Sequence, residues 1–168
     1  LCSDSSSVKS PENRKLKHQV VLAKNLSGWK SLLSMVSISN HPDNFYHKPR
    51  LDMDQFLQAS ASSKGNLVSF SGHLGSVLAG SVLDNPNWRV DGEKKAKELE
   101  GVFGKGNFFI EIQLIDSEIN HQAKEVAEKL REIANITGIP KVATPDAHYC
   151  RREDAHDQRV LLCTALRK

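Results

Sequence analysis

The stretch 107–148, NFFIEIQLIDSEINHQAKEVAEKLREIANITGIPKVATPDAH, decides how the rest of the chain is read. Residues 107–115 form a short apolar run dominated by Phe and Ile, which predicts a strand. Asp116 or Ser117 then caps a helix that gathers Ala123, Val126, Ala127, Leu130, Ile133 and Ala134 on one face. Gly138 closes that helix, and residues 139–144 give another strand behind a Gly-Ile-Pro turn. The second strand stops by presenting Asp146 and His148, two residues apart.

The same alternation extends upstream. Residues 18–25 (HQVVLAKN) predict a strand and 26–40 a helix, with Ser27 as N-cap and Trp29, Leu32, Leu33 and Val36 as its apolar face. Residues 41–50 (HPDNFYHKPR) predict a Pro-containing loop and 51–60 a short helix. Residues 66–75 (NLVSFSGHLG) predict a strand that ends at His73, followed by helices over 76–83 and 91–104. The tail from Glu153 to Leu166 is helical. Repeated strand–helix units predict an α/β layer architecture with parallel pairing. No GxGxxG follows a strand, so a dinucleotide-binding fold has no support in the sequence. A closed barrel would place His73 and the Asp146/His148 pair at its chemical end, but only four strands are legible where a complete barrel needs about eight.

The chain has 168 residues, 39% hydrophobic and 26% charged, which suits one folded domain or a large piece of one. Residues 1–17 read as a polar loop segment and 18–168 as the domain. No apolar run reaches the roughly 18 residues of a membrane span. The net charge of +3 permits an acidic polymer as partner without arguing for one. The three cysteines, Cys2, Cys150 and Cys163, form no CxxC pair, which points to a reducing cytoplasm.

Imidazole and carboxylate together suit zinc, manganese or iron. A D-x-H at a strand end turns both side chains to one face. If strands 66–71 and 140–145 are near neighbours, His73, Asp146 and His148 converge, and His18 adds a fourth donor. Each signal has a plainer explanation: a D-x-H arises by chance, and a lone His more often fills a loop. His41 and His47 are expected only to fill a turn, His121 to be solvated, and His156 to pack. Glu111, inside an apolar strand, must face a barrel lumen or pair with a Lys.

Taken together, HQVVLAKNLSGWKSLLSMVS, FYHKPRLD, LVSFSGHLGS, FFIEIQ and IPKVATPDAHYCRREDAHDQRVLLC resemble the PHP (polymerase and histidinol phosphatase) domain of bacterial DNA polymerase III alpha subunits. The resemblance implies a partial, distorted (β/α)7 barrel with parallel strands, and strand ends that carry a divalent metal cluster. Within that pattern His18, His73, Asp146 and His148 stand at metal-ligand positions. The family's earlier ligands have no counterpart in this sequence, so the ligand set is incomplete and the barrel's first strands are expected upstream of Leu1. The resemblance implies a metal-dependent phosphoesterase or 3′–5′ exonuclease site in the intact protein, with DNA and the remaining polymerase domains as partners. An inactive platform that braces the polymerase or docks a proofreading subunit is the alternative; a free-standing PHP phosphatase fits the FYHKPRLD and AHDQRVLLC blocks less well. Open strand edges predict self-association of the piece.

Overall fold

A computed structural model of the chain describes residue 1 and residues 15–113, 120–145 and 147–166. Strand β1 (Val20–Ala23) leads into helix α1 (Leu26–Ser39). A 3-10 turn over Pro42–Asn44 precedes a small hairpin, β2 (Phe45–Tyr46) and β3 (Lys48–Pro49). Then follow α2 (Met53–Ala61), β4 (Leu67–Phe70), α3 (Val77–Val82), α4 (Trp88–Phe103) and β5 (Phe108–Ile112). Helix α5 (His121–Thr137), β6 (Lys141–Ala143) and α6 (Ala155–Leu166) complete the described order.

The α/β reading holds. One four-stranded sheet has the order β1-β4-β5-β6. Strands β4, β5 and β6 pair in parallel, with Phe70 opposite Phe109 and Glu111 opposite Val142. Strand β1 does not follow the expected parallel pattern: it runs antiparallel to β4, with Val20 opposite Phe70 and Ala23 opposite Leu67. The connection explains this. Helix α1 returns the chain to the start of β1, where the hairpin residues His47 and Lys48 share a cleft with His18. Helix α2 then carries it back, so that the Asn66 carbonyl accepts the Lys24 amide at 2.9 Å just past the end of β1. Strand β4 therefore has to run the other way. Between β4 and β5 only α4 makes a full crossing, since a six-residue α3 rises only about 9 Å.

Cross-strand partners share a face of a sheet. One face carries Leu67, Phe108 and Ile110, which pack with Leu99 and Phe103 of α4 and Ile133 of α5 in a single core. Burying each such side chain is worth about 1.5–3 kcal/mol relative to exposure. The opposite face carries a row of Val20, Phe70 and Phe109 and, beside it, Leu22 and Val68. The Phe70 and Phe109 rings stack at 5.7 Å, yet both remain half-buried while Val20 and Leu22 are exposed. Helices thus cover one side of the sheet and, among the described residues, leave an apolar surface on the other.

Several local expectations change. Asn25, not Ser27, caps α1, its side-chain oxygen accepting the Gly28 amide at 2.9 Å. The α1 residues turned inward are Gly28 and Met35, while Trp29, Leu33 and Val36 face solvent and Leu32 is half-buried. Gly28 explains this orientation: it packs so tightly on the Asn66 carbonyl that a Cβ would lie 2.1 Å from that oxygen, so the side of the helix without a side chain faces the sheet. Residues 41–50 fold into a turn and a hairpin rather than an open loop. The Asp116 and Ser117 caps lie outside the described residues; the observed cap of α5 is Asn120, which accepts the Ala123 amide at 3.1 Å. Helix α6 buries none of its residues, so His156 is exposed and does not pack.

Candidate metal centre at the sheet edge

Three chain segments leave the sheet at one end. His73 follows β4, and the Asp146/His148 loop follows β6, which runs parallel to β5 and hence to β4. His18 precedes β1, whose antiparallel direction brings its start to the same end. The antiparallel strand is what delivers His18 to the chemical end of the parallel strands.

The loop after β4 is folded by the groups around it. Gly72 adopts a φ of 83°, a left-handed conformation that a side chain would strain. The Gly72 amide donates to Glu111 Oε2 at 3.0 Å. The Ser76 amide closes the turn on the His73 carbonyl at 2.8 Å. Ser76 then caps α3, accepting the Ala79 amide at 3.1 Å. The His18 amide donates to the Gly75 carbonyl at 3.0 Å and its carbonyl accepts the Val77 amide at 3.3 Å.

This backbone bridge sets the two imidazoles against each other. His18 Nδ1 lies 2.5 Å from His73 Nε2, with ring centroids 4.6 Å apart and the rings nearly perpendicular. His73 Nδ1 accepts the Gly75 amide at 2.9 Å. A neutral His73 therefore carries its proton on Nε2 and donates it to His18 Nδ1. His18 titrates below the usual imidazole value, first through partial burial and then through the nearby charges of His73 and Lys48. Glycine at 75 makes room for the pair, since a Cβ there would stand 2.8 Å from His73 Cε1.

Glu111 is 7% exposed and has no Lys partner among the described residues. It instead ties the strand ends together. Besides Gly72 it accepts the Gln113 side-chain amide at 2.8 Å and the Thr144 hydroxyl. Gln113 also donates to Thr144 Oγ1 at 3.1 Å. The carboxylate thus links the His73 loop to the segment that leads into Asp146 and His148. The lone acid in an apolar strand was the visible signal for this residue; nothing in the sequence named its partners. Gly75 was missed altogether.

His148 is exposed in the loop after β6, and Asp146 lies outside the described residues. Strands β4 and β6 are not adjacent, because β5 lies between them. At about 4.8 Å per strand their ends stand roughly 9.6 Å apart. Among the described residues, no group of three or more His, Cys, Asp or Glu side chains could hold a metal ion. His18 and His73 are the two expected ligands that the fold demonstrably brings together.

Two facing imidazoles have the donor chemistry of a borderline divalent cation. They fit such an ion as part of a larger set. At 2.5 Å the facing nitrogens are as close as a hydrogen-bonded pair, so the rings would have to part, and His73 would have to present an unprotonated Nε2, for both to serve as ligands.

The PHP domain family matches residues 5–114 of this sequence, well over half of it. The chain belongs to the PHP domain family. Named relatives agree. The DNA polymerase III subunit alpha of Treponema pallidum is 35% identical over 155 residues, covering 92% of this chain and 12% of that protein. The subunit of the same name from Thermus aquaticus is 36% identical over 149 residues, 86% of this chain and 11% of that protein. That of Borreliella burgdorferi is 32% identical over 149 residues, 87% of this chain and 12% of that protein. This PHP domain chain therefore spans about 12% of the length of such relatives. No helix among its described residues is long and apolar enough to cross a membrane.

Proposed function

We propose that this chain is a PHP domain segment of a bacterial replicative DNA polymerase, working in the cytoplasm with DNA and the remaining polymerase domains as partners. Its strand ends contribute to a divalent metal site for phosphodiester hydrolysis at a DNA 3′ end. The juxtaposition of His18 and His73 at the end of the sheet from which Asp146 and His148 also depart carries the reading. The uncovered apolar face supports it in turn, since an inner wall of a (β/α)7 barrel would need such a face.

His18, His73, Asp146 and His148 are the residues that would hold the ion. A bound ion would acidify a water and stabilise charge on the phosphate oxygens. The protein's own contribution is positional. Gly75 leaves space for the ring pair, Glu111 holds the His73 loop, and the Thr144 hydroxyl ties the β6 end to the same carboxylate. With the ligand set this chain offers, metal should bind while hydrolysis by the chain alone stays weak or absent.

Elemental analysis after dialysis against zinc or manganese tests the reading. The wild-type chain should retain metal, and His73→Ala and His148→Ala should each lose most of it. Metal at buffer level in the wild type, or unchanged retention in both variants, would refute the metal site. The chain would then stand as a silent platform that supports the polymerase or docks a proofreading subunit.

A further inference from the structure

The outer edge of β1 has a fixed alternation of backbone groups. The Lys24 amide donates to the Asn66 carbonyl at 2.9 Å, and Val20 and Leu22 stand in the same register opposite Phe70 and Val68. Val20, Leu22 and Lys24 therefore carry the bonds to β4, while Gln19, Val21 and Ala23 turn their N–H and C=O groups outward. Strand β1 ends the sheet. Among the described residues, nothing pairs with those outward groups.

Just before that open stretch, the same edge is occupied. The Leu1 nitrogen donates to the Lys17 carbonyl at 2.6 Å, and the Lys17 amide donates to the Leu1 carbonyl at 2.8 Å. Two residues that exchange both bonds form the hydrogen-bonded pair of an antiparallel ladder, an arrangement that a parallel ladder lacks. The Leu1 side chain is half-buried and packs against the core. That is the face expected of a residue opposite Lys17, because Lys17, Gln19 and Val21 share one face. The open stretch borders an apolar groove of about 420 Å³ between β1 and α1, lined by Val21, Leu32, Met35 and Val36 together with Leu51 and Phe56. Val36 is 58% exposed in it.

We propose that this edge is the docking site of an extended strand that runs antiparallel to β1 and enters Leu1 from the preceding polypeptide. In the register fixed by Leu1 and Lys17, the second, fourth and sixth residues before Leu1 lie opposite Gln19, Val21 and Ala23. Their side chains are apolar and point into the groove, while the residues between them face the uncovered side of the sheet. The chain covers about 12% of relatives such as that of Treponema pallidum, so a parent of similar length has ample polypeptide to supply the strand. An antiparallel neighbour differs from the parallel, helix-connected strand that a strand–helix repeat would place there. It also covers the edge that otherwise invites a second copy. The site rests on backbone geometry and not on the polymerase reading above.

Amide hydrogen exchange read by NMR tests the site, in the 168-residue chain carrying a short extension before Leu1. The extension Val-Thr-Val-Thr-Val-Thr puts valine at each groove position, and Lys-Thr-Lys-Thr-Lys-Thr puts a charge at each. The valine extension should slow exchange at Gln19, Val21 and Ala23 at least about tenfold relative to the unextended chain. The lysine extension should leave all three as fast as in the unextended chain. Val20 and Leu22, already paired with β4, report in every sample that β1 itself is folded. Fast exchange at the three amides with the valine extension, or equal protection by the two extensions, would overturn the site. Protection that rises with protein concentration would assign the edge to a second copy and overturn the proposal equally.

Discussion

Glu111 accepts the backbone amide of Gly72 at 3.0 Å, one residue before His73. This single contact joins the middle of the sheet to the loop that carries an imidazole of the candidate site. The carboxylate also receives the Thr144 hydroxyl from the end of β6, so one buried acid sets the spacing of two loops.

Glu111→Ala should therefore cost more than an ordinary strand substitution. It leaves a buried amide, a hydroxyl and a side-chain amide without their acceptor, and one such orphan costs about 1–3 kcal/mol. Urea denaturation should show a loss of at least that size. Glu111→Gln keeps an acceptor oxygen and should lose less; equal losses in the two variants would show that charge, not hydrogen bonding, matters at this position.

Gly75→Ala separates site geometry from stability. The new Cβ would meet His73 Cε1 at 2.8 Å, but that contact is a half-exposed ring that can swing away. Stability should change by less than about 1 kcal/mol. Zinc affinity, read by isothermal titration, should fall, by no more than in His73→Ala. Wild-type affinity in Gly75→Ala would mean that the ring pair is not the binding arrangement.

Gly28 and Gly101 should respond to alanine in opposite directions. At Gly28 a Cβ would stand 2.1 Å from the Asn66 carbonyl oxygen, a backbone atom that also accepts the Lys24 amide. It cannot give way, so Gly28→Ala should lose about 1–3 kcal/mol or more. At Gly101, inside α4, a Cβ meets nothing within 4 Å. Gly101→Ala should gain about 0.4–1 kcal/mol through helix propensity and a less flexible unfolded chain. Thermal unfolding of both variants checks the sign.

The chain should self-associate with increasing concentration. Strand β1 has β4 as its one neighbour among the described residues, and Val20 and Leu22 are exposed on it. Open edges with apolar side chains favour pairing with another copy. Sedimentation velocity should show a concentration-dependent increase in mass, and Leu22→Lys should suppress it. A monomer throughout the accessible concentration range would contradict this expectation.

Much of the fold was legible because periodicity reports burial directly. The α5 stripe of Val126, Leu130 and Ile133 is buried as its spacing demands, and β5 is a strand where Phe and Ile cluster. The α1 stripe misled for a physical reason. Trp29, Leu33 and Val36 repeat at helical spacing, yet close packing of Gly28 on Asn66 turns the opposite side of the helix inward. A hydrophobic period tells which residues share a face and not what that face will meet. Likewise, the helix–strand alternation read as wholly parallel, because sequence does not show how many times the chain crosses the sheet between two strands.

For the site, residue types raised His18, His73, Asp146 and His148 as candidate donors and Glu111 as an acid in need of partners, and the family resemblance was what put the four at ligand positions. Local preference and spacing are properties of neighbouring residues, so the sequence alone can carry them. Which donors meet depends on strand order and direction. The reversal of β1 is what places His18 within 2.5 Å of His73, though 55 positions separate them in the chain. The insertion of β5 is what holds the β6 loop two strand spacings from that pair. Both follow from how helices pack between strands, a balance of long-range contacts that no short stretch of sequence contains.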